Sequence, residues 1–136
     1  MRIVLDTNIL LVSFSQRSPF RWVFDSFLQE KITLCVTTDI LMEYEEIIGR
    51  HMGREIANPV LQILENAPNV ELITRYYKWN LILADPDDNK FVDCAVASNA
   101  AYLVSNDKHF RVLKEIDFPK VRLLTVDEFR EELTES

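Results

Sequence analysis

The sequence predicts an α/β fold, a three-layer α/β/α sandwich around a mostly parallel sheet of four or five strands. Three observations carry this. Apolar runs such as Ile3-Val4-Leu5 and Tyr102-Leu103-Val104-Ser105 are continuous rather than alternating, as in strands buried on both faces. Segments with apolar residues at helical spacing separate them, and strands alternating with helices imply a parallel sheet. The 136 residues suit one domain, 1–136, able to bury roughly two thirds of its surface without metal or disulfide staples.

Each element has its own signal. Ile3-Val4-Leu5 reads as a buried strand ending in Asp6, and Asn8 to Phe14 can start a short helix. Ser18-Pro19, a cap residue followed by proline, opens a helix from Pro19 to about Glu30. Phe20, Val23, Phe24, Phe27 and Leu28 make its apolar face. Thr33 to Thr37 is the second strand, and Thr38 then caps a helix of about Asp39 to Gly49 that buries Leu41, Tyr44, Ile47 and Ile48. Ile56 to Asn66 carries a further helix with Val60, Ile63 and Leu64 inward. Val70 to Thr74 is the third strand, and Leu81-Ile82-Leu83 is a short apolar extension towards the next turn. Asp85-Pro86-Asp87-Asp88 is a turn leading into a helix from about Asp88 to Asn99, packed through Phe91, Val92, Ala95 and Val96. Tyr102 to Ser105 is the fourth strand and His109 to Ile116 a short helix. Val121 to Leu124 is the fifth strand, and a terminal helix starts at Val126.

The composition narrows the function. Net charge is −7, which disfavours a passive binder of duplex DNA, although metal ions over an acidic pocket invert the field where a phosphate sits. Two glycines exclude a long Gly-rich phosphate loop, and no apolar run reaches the about 18 residues of a membrane span. Cys35 and Cys94 sit in apolar stretches without ligand-spaced partners and read as buried thiols. The start Met1-Arg2-Ile3-Val4-Leu5-Asp6 is not a signal peptide, so a reducing cytoplasm is expected.

Four acids stand at strand or helix ends: Asp6, Glu43, Asp88 and Asp107. In a parallel sheet, residues just beyond the carboxyl ends of the strands converge on one crevice. Carboxylates gathered there repel unless cations or protons are shared, which suits Mg²⁺ or Mn²⁺. Helix capping at Asp88 and a turn at Asp107 explain those two equally well; Asp6, at the end of a buried strand, tips the balance towards a metal site. Asn8 either hydrogen-bonds to carboxylates or phosphate, or caps the following helix. Ser105 either orients Asp6 or is satisfied at the strand end. Lys90, Lys108, His109 and Arg111 are solvated, or form a phosphate-facing rim. His51 and His109 have no ligand-spaced partner. Tyr76-Tyr77-Lys78-Trp79 packs a loop or stacks bases.

These residues carry a resemblance. Met1 to Asn8, Glu43 within Thr37 to Glu43, the run from Asp85 to Ala95 and the run from Tyr102 to Phe110 together resemble the PIN-domain ribonucleases over about residues 1 to 127. The resemblance implies that Asp6, Glu43, Asp88 and Asp107 are the metal-site and catalytic acids, with Asp85 and Asp93 as accessories or solvated acids. Asp93 starts about 140° round the helix from Asp88. Asn106 departs from the small residue usual before the fourth acid. The resemblance further implies a Mg²⁺- or Mn²⁺-dependent endoribonuclease, the toxin of a toxin–antitoxin pair, with RNA as substrate and a protein antitoxin as partner. Aromatics on the Pro19 to Glu30 helix suggest a homodimer or antitoxin contact. The competing readings are a non-catalytic interaction module and a metal-dependent phosphatase, the latter weakened because no Asp-x-Asp pattern follows Asp6.

Overall fold

Five parallel strands form one sheet in the computed structural model, which describes residues 1–75 and 77–135. β1 (Arg2–Leu5), β2 (Thr33–Val36), β3 (Val70–Leu72), β4 (Tyr102–Val104) and β5 (Leu123–Leu124) lie in the order β3-β2-β1-β4-β5. Ile3, Val4 and Leu5 are buried, and Ile3 stands opposite Leu34 on one side and Tyr102 on the other. α1 (Thr7–Ser13), α2 (Arg21–Leu28), α3 (Thr38–Met52), α4 (Arg54–Asn66), α5 (Asn89–Ser98) and α6 (Val126–Glu135) complete the three-layer sandwich. The chain builds outwards from β1 to β2 and β3, then crosses back to lay β4 on the other flank of β1. That reversal leaves a crevice beyond the carboxyl ends of β1 and β4, where open α/β sheets bind ligands.

Several boundaries differ from the sequence reading, each for a local reason. Ser18-Pro19 makes a turn rather than the first helical turn: the Arg21 N–H donates to the Ser18 carbonyl at 3.1 Å, and α2 starts there. Thr37, not Thr38, caps α3, its hydroxyl accepting from the Ile40 N–H at 3.4 Å. α3 runs past Gly49 to Gly53, whose φ of 85° and ψ of 162° form a conformation open essentially to glycine alone. The buried stripe of α4 is Ala57, Val60, Leu61 and Leu64, which leaves Ile63 exposed. β3 ends at Leu72 and β5 is two residues long, both as edge strands. A 3-10 segment, Lys108–Glu115, replaces the short α-helix, and a 3-10 turn, Pro86–Asp88, precedes α5. Leu81-Ile82-Leu83 is an irregular extension leading to the turn before α5, as read from the sequence. The Asn89 side chain takes the Ile82 N–H at 2.8 Å and donates to the Ile82 carbonyl at 2.9 Å, satisfying that backbone without a strand.

The aromatics of α2 pack largely inside the chain. Phe24 and Phe27 are buried, and Phe24 meets Phe14 at 4.9 Å. Trp22 lies 5.7 Å from Phe129 of α6, with the Arg130 guanidinium over its ring. The aromatic face that suggested a homodimer is therefore engaged within one copy. Cys35 and Cys94 are buried and free, and burial pushes the Cys94 thiol up to about 12, so both pack as small hydrophobes. Among the described residues, no helix is long and apolar enough to cross a membrane.

Candidate functional site

The crevice is built from three chain segments. The end of β1 delivers Asp6 and Thr7, the end of β4 delivers Ser105 and Asp107, and the turn before α5 delivers Asp85 and Asp88. α3 adds Glu43 from its second turn.

Asp6 is buried, and Ser105 Oγ donates to its Oδ2 at 2.7 Å. Burial raises the Asp6 pKa, the Ser105 hydrogen bond opposes that, and the charges of Asp107 and Glu43 raise it further. The same Ser105 oxygen accepts from the Asp107 N–H at 3.0 Å, so one hydroxyl fixes the acid of β1 and the backbone of the acid after β4. Of the two sequence readings of Ser105, this contact corresponds to the hydrogen bond to Asp6. Asn8 lies inside α1 with its side chain exposed, so it is not that helix's cap. Asn106 Oδ1 accepts from the Val126 N–H at 3.0 Å and fastens the start of α6.

Asp88 is the most perturbed of the four acids. Its carboxyl is pushed up to about 6 by burial first, then by the charges of Asp85, Asp6 and Asp107, with His109 pulling it down. Asp88 Oδ2 and His109 Nδ1 are both buried without a hydrogen-bond partner among the described residues. They face each other at 3.6 Å, too far for a hydrogen bond. His109 Nδ1 also lies 3.5 Å from Asp107 Oδ1. Donor atoms of Asp85, Asp88 and His109 all fall within 4.8 Å of one another, as ligands of one metal ion would. Two orphaned polar atoms inside a repelling acidic cluster are the condition a divalent cation relieves, so these residues fit such an ion.

His109 is the residue the sequence reading missed. Asp107 caps the 3-10 segment by accepting from the His109 N–H at 2.9 Å, and this turn swings the imidazole back over the crevice. The signal was the Asp-x-His spacing after a central strand, which reads as a metal motif only once the turn is known. Lys108 and Arg111, offered as its companions in a phosphate rim, are exposed.

Glu43 stands apart from the Asp85, Asp88 and His109 cluster. The Thr7 hydroxyl donates to its Oε2, and Lys90 Nζ donates to its Oε1 at 2.7 Å. An open groove of about 740 Å³ lined by Glu43, Lys90, Asp87, Met42, Arg50 and others runs from here along α3. Asp93 faces away from the crevice but is not solvated. It is 2 % exposed and accepts from the Trp79 N–H at 3.1 Å, with Arg75 3.5 Å away. Asp93→Ala should therefore cost about 1–3 kcal/mol by stranding the Trp79 N–H, and leave Mn²⁺ affinity unchanged. Thermal denaturation beside calorimetric titration checks both. Of the aromatic segment, Tyr76 lies outside the described residues; Tyr77 packs on Trp79 at 4.6 Å and Trp79 on Phe118 at 5.8 Å.

An open parallel α/β sheet with a crevice at its switch point defines a class of ligand-binding α/β folds. Within it, the PIN domain family matches residues 2–109, and the chain belongs to that family. Among solved structures, a chain of VapBC2 from Rickettsia felis, determined bound to a DNA fragment from their promoter, is similar at 21% identity with a TM-score of 0.61. The likeness covers 92% of this chain and 98% of that one and shows the shared fold. No curated protein matches the sequence.

Proposed function

We propose that the chain is a divalent-ion-dependent endoribonuclease that hydrolyses RNA phosphodiester bonds. The observation that carries this reading is the pair of buried, unpartnered atoms, Asp88 Oδ2 and His109 Nδ1, set among acids at the switch point of a PIN-domain sheet. Asp85, Asp88 and His109 would hold the ion, with Asp6 and Asp107 bordering it. When bound, the ion would lower the pKa of an attacking water and neutralise charge at the scissile phosphate. Ser105 keeps Asp6 in one rotamer, and Thr7 does the same for Glu43, so these carboxylates need not reorganise when substrate arrives. An imidazole in the donor set favours Mn²⁺ over Mg²⁺.

The motif resemblance of the sequence extends the proposal to a toxin-type role with a separate protein antitoxin, acting in the cytoplasm, and the likeness to the VapBC2 chain adds the shared fold. The test incubates the purified chain with single-stranded and structured RNAs in Mn²⁺, Mg²⁺ or chelator. The expected result is internal cleavage that leaves 5′-phosphates and stops with chelator. A folded, Mn²⁺-binding chain that cleaves none of these RNAs would instead favour the non-catalytic interaction module.

A further inference from the structure

The acids of the crevice fall into two electrostatic halves. Asp88 with Asp85 and His109 gathers donor atoms within 4.8 Å of one another, and two of them, Asp88 Oδ2 and His109 Nδ1, have no hydrogen-bond partner among the described residues. Glu43 has both carboxylate oxygens taken, one by the Thr7 hydroxyl and one by the Lys90 ammonium. We infer that Lys90 is a built-in cation of the site, occupying the place beside Glu43 at which a second divalent ion would bind, so that the chain takes one such ion. The inference rests on the proposed metal-dependent reading and adds the number of ions and the group that replaces the other.

Lys90 does not sit where a lysine is otherwise favoured. It is the second residue of α5, and a positive charge in the first turn opposes the helix dipole by about 0.3–1 kcal/mol. Its side chain spans 47 positions of sequence to reach Glu43, and the pair is only 17% and 23% exposed. Lys90 also lines the open groove along α3, so the same charge faces an approaching phosphate. An ammonium is a compact point charge that contacts phosphate without demanding coordination geometry.

The test is Mn²⁺ stoichiometry on the full chain, by calorimetry together with paramagnetic resonance of free Mn²⁺. The wild-type chain should bind one ion. Lys90→Met and Lys90→Gln should each bind two, because Glu43 is then an uncompensated carboxylate beside the crevice. Adding Glu43→Gln to Lys90→Met should return the count to one, and Lys90→Arg should keep it at one. Circular dichroism shows that each variant is folded. Two ions in the wild type, or one in both Lys90→Met and Lys90→Gln, would overturn the inference while leaving the metal-dependent reading intact. No ion in the wild type would overturn both.

Discussion

Asp88→Asn should abolish most RNA cleavage and at the same time raise the melting temperature of the ion-free chain. The two effects have one cause. Burial and the charges of Asp85, Asp6 and Asp107 oppose the charged form of Asp88, His109 offsets part of this, and a bound cation would offset more. Its folded pKa of about 6 lies above the ordinary value of 3.8. The folded chain thus binds more protons than the unfolded one between those values. Stability falls as pH rises through that window and stays reduced above it. Removing the charge restores that stability at neutral pH, on the order of 1 kcal/mol once solvent screening at the open crevice is allowed for. For a chain of this size the gain is roughly 3–6 °C.

The loss of activity should be about 10²–10³-fold, the range for removing one preorganised electrostatic group from a reacting centre. Paired measurements of melting in chelator and of cleavage rate in Mn²⁺ check it. A variant that loses both stability and activity would place Asp88 among structural residues. Asp93→Ala is the internal contrast, because its carboxylate accepts a backbone hydrogen bond and should lose stability without losing ion affinity.

What could be read from the chain depended on how local each determinant was. β1 and β4 were legible because strands buried on both faces leave continuous apolar runs, and their register, continued by one residue, sets Asp6 beside Ser105. The two readings of Ser105 were left open by the sequence, and the hydrogen bond to Asp6 separates them. Helix boundaries moved where two cap candidates competed, as at Thr37 and Thr38, or where backbone conformation decided, as at Gly53 rather than Gly49. His109 was not legible, because its approach to Asp88 depends on a 3-10 turn capped by Asp107, and a periodicity argument for an α-helix points the imidazole elsewhere. The two halves of the acidic site were equally hidden. Nothing local to Glu43 announces Lys90, and the reach of one long side chain between two helices has no sequence period. Asp93 was placed off the crevice by helix geometry, but its partners Trp79 and Arg75 come from an irregular connection with no pattern to read.

Ion binding should weaken as pH falls through about 6, and Asp88 should be the group responsible. A ligating carboxylate binds metal only when ionised, so a proton and the ion compete for it. With its pKa at about 6, Asp88 is mostly ionised at pH 7 and mostly protonated at pH 5. Simple competition then raises the Mn²⁺ dissociation constant about tenfold between those two values. An unperturbed aspartate, with a pKa near 3.9, would give almost no change there. Asp6, raised by burial and by the charges of Asp107 and Glu43, adds to the slope in the same direction. Calorimetric titrations at several pH values in buffers of different ionisation enthalpy read both the affinity and the protons released. Asp88→Asn should bind more weakly throughout and flatten the dependence. A slope that survives in Asp88→Asn and disappears in His109→Gln would assign the competing proton to the imidazole, and the acidic shift of Asp88 would then not control the site.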